Sequence, residues 1–253
     1  MQRNKAGKIR IARFLANAGI ASRRQSEKLI ENGEIIVNGE LLHSPALDID
    51  PEHDVVKYKD NVVKPMPAKY YVLYKPVGYT CSNKDEHAEK LVSELFPTSV
   101  PRLFTVGRLD KNSEGLILCT NDGDFAEKIA HPRYQIPKCY KVTVFGKVTE
   151  EKLKRLCAGI KEGGENLRAL DAAIEELESD TGNCNPVVLR ITVAEGKKRE
   201  IRRMCAACGW RVHRLLRDQI GPLKLGSMKP GQIRELNDKE YRKLMNSAGS
   251  GKS

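Results

Sequence analysis

At 253 residues, with 40% hydrophobic and 30% charged residues, the chain is long enough for one or two domains with their own cores. The formal net charge of +11 points to a polyanionic partner. No run approaches the roughly 18 apolar residues that a membrane helix needs, and the basic N-terminus lacks the apolar stretch of a signal peptide, so a cytoplasmic protein with no membrane association is expected.

The charge is clustered. Residues 1–30 hold eight Lys/Arg against Glu27 alone, and residues 195–245 hold fourteen Lys/Arg against six Asp/Glu. Two separated basic regions fit a polyanion touched at two places. In the first, Ile11, Phe14, Leu15 and Ala18 recur at helical spacing and Gly19 stops the helix. Arg10, Arg13 and Asn17 share another face. Ser22 starts a second helix with Gln25 at capping-box spacing. Arg23 and Arg24 fall in its first turn, where free backbone N–H groups already favour phosphate. Gly33 ends it. Ile35-Ile36-Val37, Asn38-Gly39 and Glu40-Leu41-Leu42 spell a hairpin with a type I′ turn, and Val55 to Tyr58 adds a strand. This module, from Ile9 to about Tyr58, resembles the S4 RNA-binding domain through Leu15, Gly19, Ala21-Ser22-Arg23-Arg24, Ile30-Glu31-Asn32-Gly33 and Val37-Asn38-Gly39. The resemblance implies binding of structured RNA by the first two helices. A DNA-reading helix–turn–helix fits less well, because no second helix rich in base-reading side chains appears. The module is expected to span residues 1–60, followed by an extended, proline-bearing linker over 61–68.

Tyr70 to Tyr74 reads as a strand and Lys75-Pro76-Val77-Gly78 as the turn after it; Ala88 to Leu95 can form a short helix. Two short apolar strands, Leu103 to Val106 and Leu116 to Cys119, flank Gly107-Arg108-Leu109-Asp110-Lys111-Asn112-Ser113-Glu114-Gly115. A carboxylate held between rigid strands in a basic chain is a candidate for chemistry, although the local sequence taken alone reads first as a turn Asp satisfied by its own backbone or by Arg108. A helix from Asn121-Asp122-Gly123 to Ala130 follows, then a strand over Lys138 to Val144, a helix over Glu150 to Gly159 and a strand over Val187 to Val193. Lys198 to Cys208 is a basic amphipathic helix with Ile201, Met204 and Cys208 on one side and Arg199, Arg202 and Arg203 on another. Trp210 to Leu216 is strand-like, and Asn237 with Glu240 caps the last helix. The elements predict an α+β fold with a mixed or antiparallel sheet over 69–245 and a disordered Ser/Gly-rich tail over 246–253. Seven cysteines without an export signal argue against disulfides. Cys205-Ala-Ala-Cys208 has metal or redox spacing but no second ligand pair and reads as mid-helix, so ordinary buried side chains and no metal are expected.

The second module resembles a pseudouridine synthase of the bacterial ribosomal type that joins an S4 domain to a catalytic domain. The residues that carry the resemblance occur in the family's order: Lys75-Pro76-Val77-Gly78, Gly107-Arg108-Leu109-Asp110 through Leu116, Thr120-Asn121-Asp122-Gly123, Lys138-Cys139-Tyr140, Glu195-Gly196, Arg199 to Met204, Leu216-Arg217 and Ile220-Gly221. The resemblance implies isomerisation of a uridine in 16S or 23S rRNA, more in keeping with 23S, without a cofactor; a monomer is the default expectation. Uracil is detached from C1′ and rejoined through C5. Asp110 takes the place of the catalytic aspartate, attacking C1′ or removing a ribose proton. Arg202 takes the place of the arginine that pairs with it, and Tyr140 that of the tyrosine lying against the base; by itself Tyr140 also reads as a core aromatic. Arg10, Arg13, Ser22, Arg23, Arg24, Lys75, Arg108, Arg199, Arg203 and Arg217 are the expected RNA contacts, with a structural role the alternative for Arg108 and Arg217 and a solvated helix face that for Arg202 and Arg203. The residue before Ile201 is an amide in the family pattern and Glu200 here. A catalytically silent RNA-binding or ribosome-assembly factor shares the basic clusters but does not call for Asp110, Tyr140 and Arg202 together.

Overall fold

The computed structural model describes residues 7–82, 89–177 and 186–249, and the chain divides near Lys69 into two compact units. In the first, β1 (Ile9–Arg10) leads into α1 (Ile11–Asn17), whose helical spacing buries Ile11, Ala12, Phe14 and Leu15. α2 (Arg23–Glu31) opens on the expected capping box: Ser22 Oγ accepts from the Gln25 backbone, and Gln25 Oε1 accepts from that of Ser22. β2 (Ile35–Val37) and β3 (Glu40–Leu42) form the hairpin, with positive φ at both Asn38 and Gly39 as a type I′ turn requires. β4 (Asp48–Ile49) pairs with β1, and β5 (Val56–Tyr58) with β2. The segment expected as a linker starts differently. β6 (Asn61–Val62) pairs with β5, and Val63 is buried in the same core as Phe14 and Ile30. An apolar side chain with a core to reach is pulled out of the linker.

The second unit is α+β, as the sequence predicts. Its strands are β7 (Tyr70–Lys75), β8 (Phe104–Val106), β9 (Glu114–Thr120), β10 (Lys138–Phe145), the small hairpin β11 (Ile160–Glu162) and β12 (Glu165–Leu167), β13 (Asp171–Leu177), β14 (Val187–Val193), β15 (Arg211–Ile220), β16 (Leu223–Lys224) and β17 (Ile233–Glu235). Among the described residues the main sheet runs β13-β14-β10-β15-β9-β7-β17, with β8 on β9 and β16 on β15. Only the central β9·β15 pair in it is parallel. α3 (Gly123–Ala130), α4 (Glu150–Ala158), α5 (Glu200–Ala207) and α6 (Asp238–Gly249) cover it. β9 alternates between two cores: Ile117 and Cys119 pack with Leu153, Ile201 and Met204, while Leu116 and Leu118 pack with Phe125, Ile129 and Leu244.

Two local expectations change. The helix expected over Ala88–Leu95 is a single 3-10 turn, Val92–Leu95, among the described residues; Ala88 lies outside them. The Thr80 N–H donates to Lys90 O and its carbonyl accepts from Val92 N, so strand-like pairing takes backbone groups a helix would need. Residues 246–249, expected to be disordered, continue α6 because Ala248 is buried beside Leu244, and Ser247 Oγ donates to Leu244 O at 2.7 Å. Residues 250–253 lie outside the described residues.

Gly115 is where the central strands meet. It pairs in parallel register with Arg217, its φ is +109°, and a Cβ there would lie 2.3 Å from the Arg217 carbonyl oxygen. Gly115→Ala is therefore expected to separate β9 from β15 and to destabilise the protein by about 2 kcal/mol or more. A thermal or denaturant melt that matches the wild type would show that the strands do not need this close approach.

Candidate active site

β8 ends at Val106 and β9 begins at Glu114, so the turn between them is anchored at both ends in the sheet. Gly107 enters it with φ +72°, and Ser113 N donates to Asp110 O at 3.0 Å. Lys75, at the end of β7, reaches beneath this turn. Its ammonium donates to the carbonyls of Pro76 (2.9 Å), Asp110 (3.2 Å) and Ser113 (2.7 Å), which matches its three N–H donors to three acceptors. Gly78 N donates to Lys111 O at 2.8 Å. Two sequence motifs thus form one hydrogen-bonded object, with Lys75 fully buried inside it. Burial pulls the Lys75 ammonium down to about 8, and the nearby acidic groups oppose that, so at neutral pH it keeps its charge.

Glu114 is tied into the sheet. Its carboxylate accepts from Tyr74 Oη at 2.8 Å and from Arg214 Nε at 2.6 Å. Burial pushes this carboxyl up, but the two hydrogen bonds and the Arg214 charge outweigh it and hold the group below its ordinary range.

Asp110 opens into a cleft of about 290 Å³, also lined by Arg108, Lys138, Tyr140, Glu200 and Arg217. The Asp110 side chain is 36% exposed, and the guanidinium in ion-pair range is that of Arg199, at 3.9 Å. Arg199 caps α5 in a left-handed conformation, φ +52°. Tyr140, on β10, is buried, and the register sets it directly opposite Arg217 on β15. Lys138 lies two residues before Tyr140 and donates to Ile136 O (3.2 Å) and Ala194 O (3.3 Å). Burial pulls its ammonium down to about 8, with the Arg217 charge adding to the effect. Glu200 is 5% exposed and accepts from Lys197 N at 3.3 Å; burial pushes its carboxyl up. A carboxylate for attack or proton transfer, an aromatic wall and several cations thus share one cleft.

The family model described as RNA pseudouridylate synthase matches residues 69–207, and the S4 domain model matches residues 9–56. The chain belongs to the RNA pseudouridylate synthase family. It is 41% identical to an RNA pseudouridine synthase of Aquifex aeolicus (strain VF5), across 95% of each chain. It is 34% identical to the ribosomal large subunit pseudouridine synthase B of Bacillus subtilis (strain 168), across 96% of this chain and 98% of the relative. A solved structure titled as a crystal structure of pseudouridylate synthase superposes with a TM-score of 0.65 at 29% identity, over 93% of this chain and 99% of the other.

The cleft brings together Asp110, Tyr140, Arg108, Arg199 and Arg217, and four expectations change. Arg202 does not pair with Asp110. Its Nη2 donates to Asn112 O at 2.7 Å and its Nε is buried without a partner among the described residues, while Arg199, one turn earlier, faces the carboxylate. Lys75 is no RNA contact, being fully buried. Arg203 is committed to Glu162 and Glu165 on the β11–β12 hairpin. Ser22 spends its hydroxyl on the α2 cap, where Oγ also donates to Gln25 Oε1 at 2.9 Å. Arg23 and Arg24 stand exposed beside it, and Arg10 is exposed but pairs with Asp48 at 3.2 Å. Arg13 is half-buried on α1. Cys205 and Cys208 are buried packing residues, and burial pushes the Cys205 thiol up to about 12. Lys138 lines the cleft without being among the site residues the sequence predicts. Strand alternation puts i and i+2 on one face, so its place beside Tyr140 was available from the sequence. No helix among the described residues is long and apolar enough to cross a membrane.

Proposed function

We propose that this synthase converts a uridine of ribosomal RNA, in the large subunit, to pseudouridine with Asp110 as the catalytic carboxylate and no cofactor. The observation that carries the proposal is the Asp110 turn, clamped from below by Lys75 and opening into a cleft walled by Tyr140. A carboxylate fixed by backbone hydrogen bonds is placed without relying on its own side chain for support. The target base leaves its stack to reach this depth and rests against Tyr140. Arg108 and Arg199, both exposed at the cleft, suit the flanking phosphates. The large-subunit assignment follows the name of the Bacillus subtilis relative; a monomer in the cytoplasm is the accompanying expectation.

The assay is release of tritium from C5-labelled uridine in 23S and 16S rRNA transcripts, followed by mapping of the modified position. Release from 23S and not 16S supports the proposal; release from neither transcript, or from 16S alone, refutes the assignment. The first unit carries a separate expectation. Arg23→Ala with Arg24→Ala removes two exposed cations from the start of α2, so rRNA affinity falls and the slope of log affinity against log salt decreases by about 2. An unchanged salt slope would remove phosphate contact from these residues.

A further inference from the structure

Arg217 is a buried cation without an anion. It is 3% exposed; its Nε donates to Leu116 O at 2.8 Å, its Nη2 is buried with no partner, and no carboxylate among the described residues forms an ion pair with it. A guanidinium stripped of water and left unpaired is costly unless something else uses its charge. Its place says what that could be. Arg217 stands opposite Tyr140 on one side and Gly115 on the other, in the centre of the sheet, and it lines the same cleft as Asp110. The exposed cations of that cleft, Arg108 and Arg199, lie where a phosphodiester keeps part of its hydration. A phosphate brought to Arg217 would have to be dehydrated almost completely. A base laid on Tyr140 already is.

We infer that Arg217 is a further catalytic residue: its guanidinium donates to a carbonyl oxygen of the target uracil and stabilises the negative charge the base takes on as it is detached. The inference rests on the assignment of the Asp110 cleft to uridine isomerisation. In that reaction the C1′–N1 bond breaks with its electron pair leaving on the base, where the charge spreads over N1, O2 and O4. C5 then donates a pair to C1′ to form the new bond, C5 loses its proton and N1 gains one. No oxidant or reductant is consumed. If Asp110 attacks C1′, its bond to C1′ forms as N1 leaves and breaks as C5 returns; if it takes a ribose proton, it gives that proton back. The base carries the charge on either route. A donor that meets a neutral carbonyl before cleavage and an anionic one during it binds the transition state more strongly than the ground state. A contact to O4 also disfavours cytosine, whose amino group at that position would oppose the N–H donor, whereas a contact to O2 does not.

The test is single-turnover tritium release by the full-length protein, comparing wild type, Arg217→Lys and Arg217→Gln on the transcript the wild type modifies. Arg217→Gln is expected to lower the maximal rate by roughly 10²–10³-fold, with half-saturating protein concentration and salt dependence unchanged, and Arg217→Lys to restore part of it. A rate within threefold of wild type overturns the inference. So does a weaker affinity with a salt slope reduced by about 1 and an intact maximal rate, the signature of a phosphate contact. If Arg217→Gln fails to fold, the wild type is assayed on transcripts carrying 2-thiouridine or 4-thiouridine, scoring product by nucleoside mass. A rate lowered tenfold or more by one of the two, with binding unchanged, supports the contact; no effect of either overturns it. Failure of the underlying assignment looks different. In that case the wild type releases no tritium, or Asp110→Asn releases it at full rate, whatever Arg217 does.

Discussion

Asp110→Asn is expected to abolish isomerisation, lowering tritium release by roughly 10³-fold or more, while leaving the fold and rRNA affinity intact. Asn keeps the size and planarity of the side chain but can neither attack C1′ nor accept a proton. The turn does not depend on the carboxylate. Its closure uses the backbone carbonyl of Asp110, held by Ser113 N and by Lys75. The side chain's own ion pair, to the exposed Arg199 at 3.9 Å, is worth less than about 1 kcal/mol in stability. Circular dichroism and melting should therefore match the wild type. Substantial residual activity would remove Asp110 from the chemistry and leave the turn as a structural feature. The size of the loss also bears on mechanism: a general base contributes roughly 10²–10⁴-fold, whereas a covalent nucleophile contributes up to about 10⁶-fold.

Lys75→Met is expected to have the largest effect on stability. Met fills similar volume, so the loss is chiefly electrostatic. Three buried carbonyls, of Pro76, Asp110 and Ser113, lose their donor. Each orphaned acceptor costs about 1–3 kcal/mol, and relief of the buried ammonium offsets part of that, so a net loss of about 2–4 kcal/mol is anticipated. The variant also separates two roles for this residue. If Lys75 positions the turn, the maximal rate falls by roughly 10²-fold through displacement of Asp110, with rRNA affinity and its salt dependence retained. Weaker binding with an unchanged maximal rate would restore it as an RNA contact. The difference in stability between wild type and variant should depend on pH. Burial takes the Lys75 value from 10.5 in the unfolded chain to about 8 in the folded one. Between those values the unfolded chain holds more protons, so the contribution of this group to stability rises with pH through that window. Below pH 8 both states are charged and the full burial cost remains. A difference that stays flat from pH 8 to 10.5 would contradict the burial argument.

Arg202 and Arg199 show why the second basic region was legible as a cluster but not as a set of contacts. Periodicity places both on one polar side of a helix, and the structure agrees: Ile201 and Met204 are buried and the arginines are not. Periodicity fixes only the face. The left-handed backbone at Arg199 turns that side chain toward Asp110, while Arg202 reaches the carbonyl of Asn112. Arg203, next in sequence, is taken by two glutamates on a hairpin that no local pattern announced. Exposure and pairing of long cationic side chains depend on what the rest of the fold brings near them.

The sequence by itself determined the α+β class, the capped second helix, the type I′ hairpin and the cleft carboxylate, because each is written in short-range pattern: apolar period, cap spacing, turn residues and an ordered set of motifs. Only the tertiary structure decided which motif residues line the cleft and which are buried beneath it. Lys75 reads in the sequence as an RNA contact and is sealed beneath the Asp110 turn, 35 residues away in sequence. Arg217 reads as a phosphate or structural contact and lies between Tyr140 and Gly115 with no ion-pair partner among the described residues. Both outcomes follow from strand order, which sets distant segments side by side. The physical consequence of a charge is fixed by its burial and its partners, and neither is a local property of the chain.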